Sequence, residues 1–556
     1  MLNQAIACFS RREHRLMNEI PEWGTLPRML RQRATAHPQC VAVVDGDTTL
    51  SLSDIRTQAS QVARALISRG VVAGDRIAVW APNCWQWVVT AFGIWDCGAV
   101  VVPLSTRGKG IETAEVLRRT GCRVLVAIDE FLGASYVDQL ATAVGGPSSD
   151  APFADLADLH TLVLLQGDRN LPGTFSWEAF LDLHDTVALE AAEKRALAVE
   201  PTDIFEILMT SGTTGQPKGV MLNGGQILRA YWDWAEVCGL GKGDRLAVVS
   251  PFAHGFGINA GMIACVERLA TMVPVAVFDP DRALDMVENL GLTTLAGPPN
   301  LFSRILSDPE LDQRDTSSLR WAIVGAASVP DELVIALQDR LGFERITNAY
   351  GLIEGSVVTM TRPGDPTAVV AGSAGRVVSG MEIRLVDSDG APARTGEQGE
   401  IQIRGYGVMQ GYWDAPQLTS DAFTSDGWLS TGDVGSLDDE GNLRIVGRTK
   451  EMLIVGGFNA YPAEIESLLL HNPKLAQAAV IGAPDDALGE VVWAFVVPHA
   501  GENPTEEEIV AWARANMSNY KAPRRVLVLE ALPVTANGKI AKASLRERID
   551  QLRTSV

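Results

Sequence analysis

The sequence predicts an α/β protein: a large N-terminal body of parallel α/β sheets plus a β-rich subdomain, followed by a small α+β C-terminal domain. Three observations predict it. Short apolar runs alternate with helical stretches through residues 76–349, the pattern of a parallel sheet covered by helices on both faces. From residue 372 to about 446 the chain turns rich in Gly, Asp and alternating strands. Beyond residue 447 helices and strands mix again over roughly a hundred residues, enough for a small domain.

Taken in order, residues 1–22 read as a tail leading into a helix at 26–36. A short apolar strand at 76–80, a helix at 85–97 and a strand at 99–104 follow, then a helix at 111–120 and a strand at 122–128. The alternation returns as strand 245–250, helix 259–269 and strand 270–278, and again as 320–324, 331–341 and 345–349. The β-rich stretch carries strands at 382–386, 399–404 and 442–446. In the last unit, helices are expected at 463–471 and 506–517, and strands at 477–481, 491–497 and 526–529. The predicted domains are therefore 1–446 (with 372–446 as the β-rich part), a hinge at 447–451, and 452–556.

Composition narrows the function classes. Lys and Arg number 47 against 68 Asp and Glu, a formal charge of −21. Nucleic acid is thus an unsuitable partner, because phosphate backbones need clustered cations. The seven cysteines include no CxxC pair and the seven histidines are scattered, so buried reduced thiols are expected in place of a zinc site or disulfide framework. No segment approaches the apolar length of a membrane span, and no signal pattern opens the chain. The reading is a cytoplasmic protein; a homodimer is compatible with it.

Chemistry enters at residues 204–209, a buried strand reading IFEILM. Thr210, Ser211, Gly212, Thr213, Thr214, Gly215, Gln216, Pro217, Lys218 and Gly219 follow directly. Backbone N–H groups and small hydroxyls in such a run wrap phosphate oxygens, and Lys218 adds a point charge. The spacing is not that of GxxxxGK[ST]. An ordinary strand-to-strand turn is the plain alternative, but a turn this long with an embedded Pro-Lys-Gly is uncommon.

The run TSGTTGQPKG resembles the phosphate loop of the acyl-adenylate-forming superfamily, which contains acyl-CoA synthetases, firefly-type luciferases and peptide-synthetase adenylation domains. Further similar motifs follow in that family's order: AYGLIE (349–354), STGDVG (430–435), GRTKEML (447–453), GGFNAYPAEIE (456–466) and PVTANGKI (533–540). The resemblance covers nearly the whole chain. It implies a carboxylic acid, ATP and CoA as reactants and Mg2+ as cofactor, with an acyl-AMP intermediate.

Residue by residue, the resemblance makes Lys539 the adenylation lysine and Glu354 the magnesium ligand, a hard oxygen beside the phosphates. It places Gly325, Ala326, Ala327, Asn348, Ala349, Tyr350 and Gly351 around the nucleotide. Asp433 would accept from the ribose hydroxyls, Arg448 would reach the ribose or phosphate side, and Lys450 marks the hinge about which the small domain rotates. Gly456, Gly457 and Phe458 would line the pantetheine tunnel, and His254 would stand near the carboxylate entrance. Plain structural readings compete for single residues: a core tyrosine for Tyr350, an Asx-turn for Asp433, a solvated turn for Lys539.

Two positions depart from the pattern. Ile353 stands where the family usually has Thr, and no His occurs near Gly224. A nucleotide- or acyl-binding protein with weak turnover is therefore a second reading, and a carrier-protein ligase a third. The segments 84–110, 251–266 and 297–306 look like CoA ligases of alicyclic and steroid-ring degradation, which points to a compact ring-bearing acid, with a fatty acid as runner-up. Trp232, Trp234, Phe256, Met262 and Ala326 are candidate pocket walls. Residues 450–556 are close to neutral, and Lys521, Arg524, Arg525 and Lys539 are candidates for the phosphates of CoA or ATP.

Overall fold

The computed structural model describes residues 22–149, 151–210, 218–279, 282–325, 329–387, 389–455, 458–485, 488–534 and 539–554. The chain divides into two compact units. Met1–Glu382 with Ile403–Gly427 form the first, and Ile383–Gln402 with Trp428–Val556 the second.

Two large sheets build the first unit. One runs, strand by strand, Gly411–Tyr412, Lys218–Asn223, Ile204–Thr210, Val100–Pro103, Arg76–Trp80, Val124–Ala127, Thr161–Leu164, Thr174–Ser176. Its central strands pair in parallel. Val100–Pro103, Val124–Ala127 and Thr161–Leu164 are buried at every residue, as a sheet covered on both faces requires. The second sheet has nine strands, with Arg345–Leu352, Trp321–Gly325, Thr294–Gly297, Arg245–Val248 and Thr271–Pro274 side by side and parallel at its centre. Parallel strands of this kind gather their carboxyl ends on one edge, where ligands bind.

The strand–helix alternation expected from the sequence is present, with local differences. Leu52–Ser68, which drew no expectation, is a helix of 17 residues opened by a Ser51–Asp54 capping box. It packs so closely on Trp85–Asp96 that a side chain at Gly93 would collide with Val62. The helix expected at 259–269 begins earlier, as a π-helix Phe256–Ile263, and becomes α-helical only over Ala264–Arg268. The strand expected at 270–278 is only Thr271–Pro274, and proline closes the ladder there by removing a donor.

In the second unit, strands Leu429–Leu437 and Leu443–Arg448 pair antiparallel. A five-stranded sheet is built around the hairpin Leu475–Asp485 and Gly489–Pro498, much longer than the expected strand at 477–481. Helices Pro462–Leu469, Glu506–Asn516 and Lys542–Thr554 accompany it. Residues 447–451 lie within this unit: Arg448 ends a strand, Thr449–Glu451 forms one 3-10 turn, and Tyr461 packs on Val434 and Val446.

Candidate active site

The phosphate-loop run grows out of a hairpin. Ile204–Thr210 pairs antiparallel with Lys218–Asn223, and Thr210 stands opposite Lys218, so residues 211–217 join two adjacent strand ends. Ser211, Gly212, Thr213, Thr214 and Gly215 themselves lie outside the described residues, as do Ala326, Ala327, Gly456 and Gly457. The Lys218 ammonium sits 4.8 Å from the centre of the Tyr412 ring. Tyr412 is on the neighbouring strand, opposite Val220, and its hydroxyl donates to Glu354 Oε1 at 3.2 Å. Burial, and then the Glu354 charge, push the Tyr412 phenol far above its ordinary range, so it remains a donor. Tyr412 thus touches both groups, Lys218 over its ring and Glu354 at its hydroxyl. Sequence reasoning missed Tyr412, whose single signal was an aromatic pair after Gly411.

Glu354 owes its position to a turn. Strand Arg345–Leu352 folds back on Ser356–Met360 through a bulge at Tyr350–Gly351. A side chain at Gly351 would strike the Ser356 carbonyl, and Ser356 takes a left-handed φ of 53°. The Glu354 carbonyl accepts from the Met409 N–H at 2.8 Å. Ile353 is half-buried within this turn. One strand over, Gly325 ends Trp321–Gly325 opposite Ala349, so both sit at carboxyl ends of adjacent parallel strands. Tyr350 is half-buried on the same strand as Ala349. The Asn348 amide is committed to the fold, donating to the carbonyls of Val370 and Ser373 at 3.1 and 2.9 Å.

His254 is exposed just before the π-helix. Its Nδ1 accepts from the Phe256 N–H at 3.2 Å, which leaves Nε2 as the protonated nitrogen of the neutral ring. Beyond it Trp234, Phe256, Ser250, Ala260, Gly261 and Ala296 line a small cavity of ≈ 10 Å³ at the ends of the parallel strands, room for about one water, with Trp234 and Phe256 edge-to-face at 5.9 Å. Two expected wall residues are placed elsewhere. Trp232 stacks under the Arg268 guanidinium at 3.6 Å and against Trp23, and Met262 is wholly buried in the core.

The sequence hid a buried carboxyl inside IFEILM. Glu206 is fully buried, and Asn259 Nδ2 donates to its Oε1 at 2.8 Å. Burial pushes its pKa up to about 8, with the Asn259 bond opposing. Folding therefore takes up a proton at Glu206. The stability that this proton confers is complete below the ordinary carboxylate range and is lost as pH rises to about 8. Between pH 5 and 8 the thermal midpoint of the wild type is expected to fall more than that of Glu206→Gln, which scanning calorimetry of both at several pH values will check.

In the second unit, the Asp433 carboxylate is buried and accepts from Arg448 Nε at 2.8 Å, while the arginine stays largely exposed. Two residues singled out separately for the ribose thus form one ion pair. Lys450 falls in the turn Thr449–Glu451, and Phe458 opens the strand Phe458–Ala460. Lys539 is exposed beside the bridge between Val534 and Ile540. Of the candidates for meeting phosphate, Lys521 is engaged by Glu464 at 2.6 Å, and Arg525 by Glu506 at 2.9 Å and the Trp493 ring. Acidic side chains on adjoining helices pair with these two, so the expectation narrows to Arg524 and Lys539, both exposed. The described cysteines are free, and all but Cys40 and Cys84 are buried.

A profile of the AMP-binding enzyme matches residues 30–413, and one of the AMP-binding enzyme C-terminal domain matches residues 464–539. The chain belongs to the AMP-binding enzyme family. This AMP-binding enzyme is 40% identical, over 96% of its own length and 99% of the relative's, to the 7a-methyl-1,5-dioxo-octahydro-1H-inden-4-yl propanoyl:CoA ligase of Rhodococcus jostii (strain RHA1). The ligase of the same name from Mycobacterium tuberculosis (strain ATCC 25618 / H37Rv) is also 40% identical, over 95% and 99%. Among solved structures, the anthranilate CoA ligase AuaEII in complex with anthranoyl-AMP superposes with a TM-score of 0.84 at 26% identity, covering 97% of this chain and 100% of that one. The AMP-binding enzyme described here is an acid–thiol ligase, and the α/β fold read from its sequence is the fold it has.

Proposed function

We propose that the enzyme activates a compact ring-bearing carboxylic acid with ATP and transfers it to CoA. In the first step a carboxylate oxygen attacks the α-phosphorus, the bond to pyrophosphate breaks, and acyl-AMP forms. In the second the CoA sulfur, having lost its proton, attacks the acyl carbonyl, and AMP leaves. The observation that carries the reading is the Lys218–Tyr412–Glu354 arrangement at the mouth of the phosphate-loop hairpin. It sets a cation and an acid where a polyphosphate and its counter-ion need them.

The residues present suit Mg2+ bound in the usual nucleotide manner, through one carboxylate and the phosphates. Glu354 Oε1 accepts from Tyr412, which orients the carboxylate and leaves Oε2 for the ion, and no cluster of three metal-binding side chains exists among the described residues. The loop from Thr210 to Gly215 and Lys218 would hold the phosphates. Gly325, Ala326, Ala327, Asn348, Ala349, Tyr350 and Gly351 would receive the adenosine, with Asp433 accepting from ribose hydroxyls and Arg448 locking its orientation. Lys539 would bridge the attacking carboxylate and the α-phosphate. His254 would meet the carboxylate, and Gly456, Gly457 and Phe458 the pantetheine arm. Residues 447–451 with Lys450 would serve as the hinge.

The ring preference is supported by the two relatives, which are named for a fused-ring propanoyl group. No described helix is long and apolar enough to cross a membrane; the cytoplasm is the proposed location, and a homodimer is left to light scattering. The test is pyrophosphate release over a panel of acids with and without CoA. The expected result is CoA-dependent turnover with kcat/KM for a bicyclic propanoate at least about tenfold above that for a linear acid of similar carbon number. Preference for the linear acid overturns the ring reading. No release with any acid overturns the synthetase reading in favour of a binding protein.

A further inference from the structure

Lys542 ties together segments that belong to three of the ordered motifs. It follows PVTANGKI, which carries Lys539, and opens the helix Lys542–Thr554. Its ammonium lies 3.0 Å from Glu451 Oε2 and 3.0 Å from Glu466 Oε1. Glu451 belongs to GRTKEML and closes the 3-10 turn Thr449–Glu451, directly after Lys450. Glu466 ends GGFNAYPAEIE and is itself fixed, its Oε1 accepting from the Val480 N–H at 2.8 Å. Burial opposes the ammonium, yet the carboxylates of Glu466 and Glu451 raise its pKa above the ordinary lysine value, so the bridge stays charged at neutral pH.

What the bridge holds in place is the segment that carries Lys539. Its apolar side is anchored: Val534 and Ile540 pair as an isolated bridge, the Ala541 N–H donates to the Pro533 carbonyl at 2.8 Å, and Ile540 packs on the cluster of Leu545, Ile549 and Trp493. On its charged side Lys542 ties the segment to helix Pro462–Leu469, whose Ile465 and Leu469 are wholly buried, and to the turn of Glu451. Both acids meet one ammonium, so its removal would leave two carboxylates close enough to repel one another and push the turn from the helix. Lys539 is itself exposed, so its aim depends on the backbone beneath it. A misplacement of about 1 Å at a reacting group can cost on the order of a hundredfold in rate.

We propose that Lys542 is a positioning residue: braced between Glu451 and Glu466, it fixes the Lys539 segment to the turn Thr449–Glu451, so that Lys539 is presented for adenylation in one orientation. Lys542 touches no reactant and acts only through Lys539. The inference rests on the reading of Lys539 as the adenylation lysine and goes beyond it by naming what aims that lysine.

The test measures both half-reactions of the full-length enzyme with the best acid of the panel: pyrophosphate release in adenylation, and thioester formation from supplied acyl-AMP and CoA. Lys542→Met is expected to lower kcat for adenylation about tenfold or more, with KM for ATP little changed and thioester formation within a few-fold of the wild type. Lys542→Arg, which keeps the charge and the reach to both acids, should retain most of the rate. In a Lys539→Ala background Lys542→Met should cost little more, because the lysine it aims is gone. Glu451→Gln, which alters the exposed acid and leaves Lys542 on Glu466, should lower adenylation about threefold and reads the brace even where Lys542→Met is unstable. Equal loss in both half-reactions, full additivity with Lys539→Ala, or unchanged adenylation in Glu451→Gln or in folded Lys542→Met would each overturn the proposal. If Lys539→Ala itself spares adenylation, the reading of Lys539 falls and this inference with it. If Lys539→Ala is impaired and the Lys542 and Glu451 variants are not, this inference falls alone.

Discussion

Replacing Lys539 by alanine is expected to lower kcat/KM for adenylation by at least about a hundredfold, corresponding to about 3 kcal/mol or more of lost transition-state stabilisation. The first step drives a carboxylate onto an anionic phosphorus, and the charge that must be neutralised is greatest as the new bond forms. A lysine placed there acts on the transition state more than on either bound substrate, so kcat should fall with little change in KM for ATP. The step that follows has no such requirement. Thioester formation from supplied acyl-AMP and CoA should therefore stay within a few-fold of the wild type. Equal loss in both half-reactions would show instead that Lys539 supports the domain as a whole, and would remove it from the adenylation role. Its exposure beside the Val534–Ile540 bridge makes a folding defect an unsuitable explanation for either result.

The second large effect is expected at Glu354. Glu354→Gln keeps the shape and the bond from Tyr412 but removes the charge, and adenylation should drop about a hundredfold, with the Mg2+ concentration for half-maximal rate displaced upward. Tyr412→Phe should cost less, about three- to tenfold, because it frees the carboxylate without discharging it. Combined, the two changes should be less than additive, since the tyrosine acts through the glutamate. Full additivity would separate them. Steady-state rates across a magnesium titration for the three variants check all of this.

Much of this architecture was legible in the sequence because its signals are local. Alternating apolar strands and amphipathic helices announced both parallel sheets, and the ordered motifs announced the family before any contact was known. Helix Leu52–Ser68 escaped although its capping box is written plainly at Ser51–Asp54. The π-helix escaped for another reason: its register is set by glycines pressed against strand Arg245–Val248 and the loop after it, and a short apolar run has no period that distinguishes five-residue from four-residue bonding.

The sequence alone determined the reaction class, because phosphate binding and adenylation need particular residue types in runs short enough to read directly. Only the tertiary structure could join Lys218 to Glu354 through Tyr412, 58 residues beyond the acid, or pair Asp433 with Arg448 across two strands. It alone showed that Lys521 and Arg525 are already paired with acids from two helices, and that one glutamate in an apolar strand is a buried polar group with an unmatched oxygen. The division has one physical cause. Charge, hydrogen bonding and burial act over a few ångströms of space, and the chain order reports them only where the partners are also neighbours in sequence.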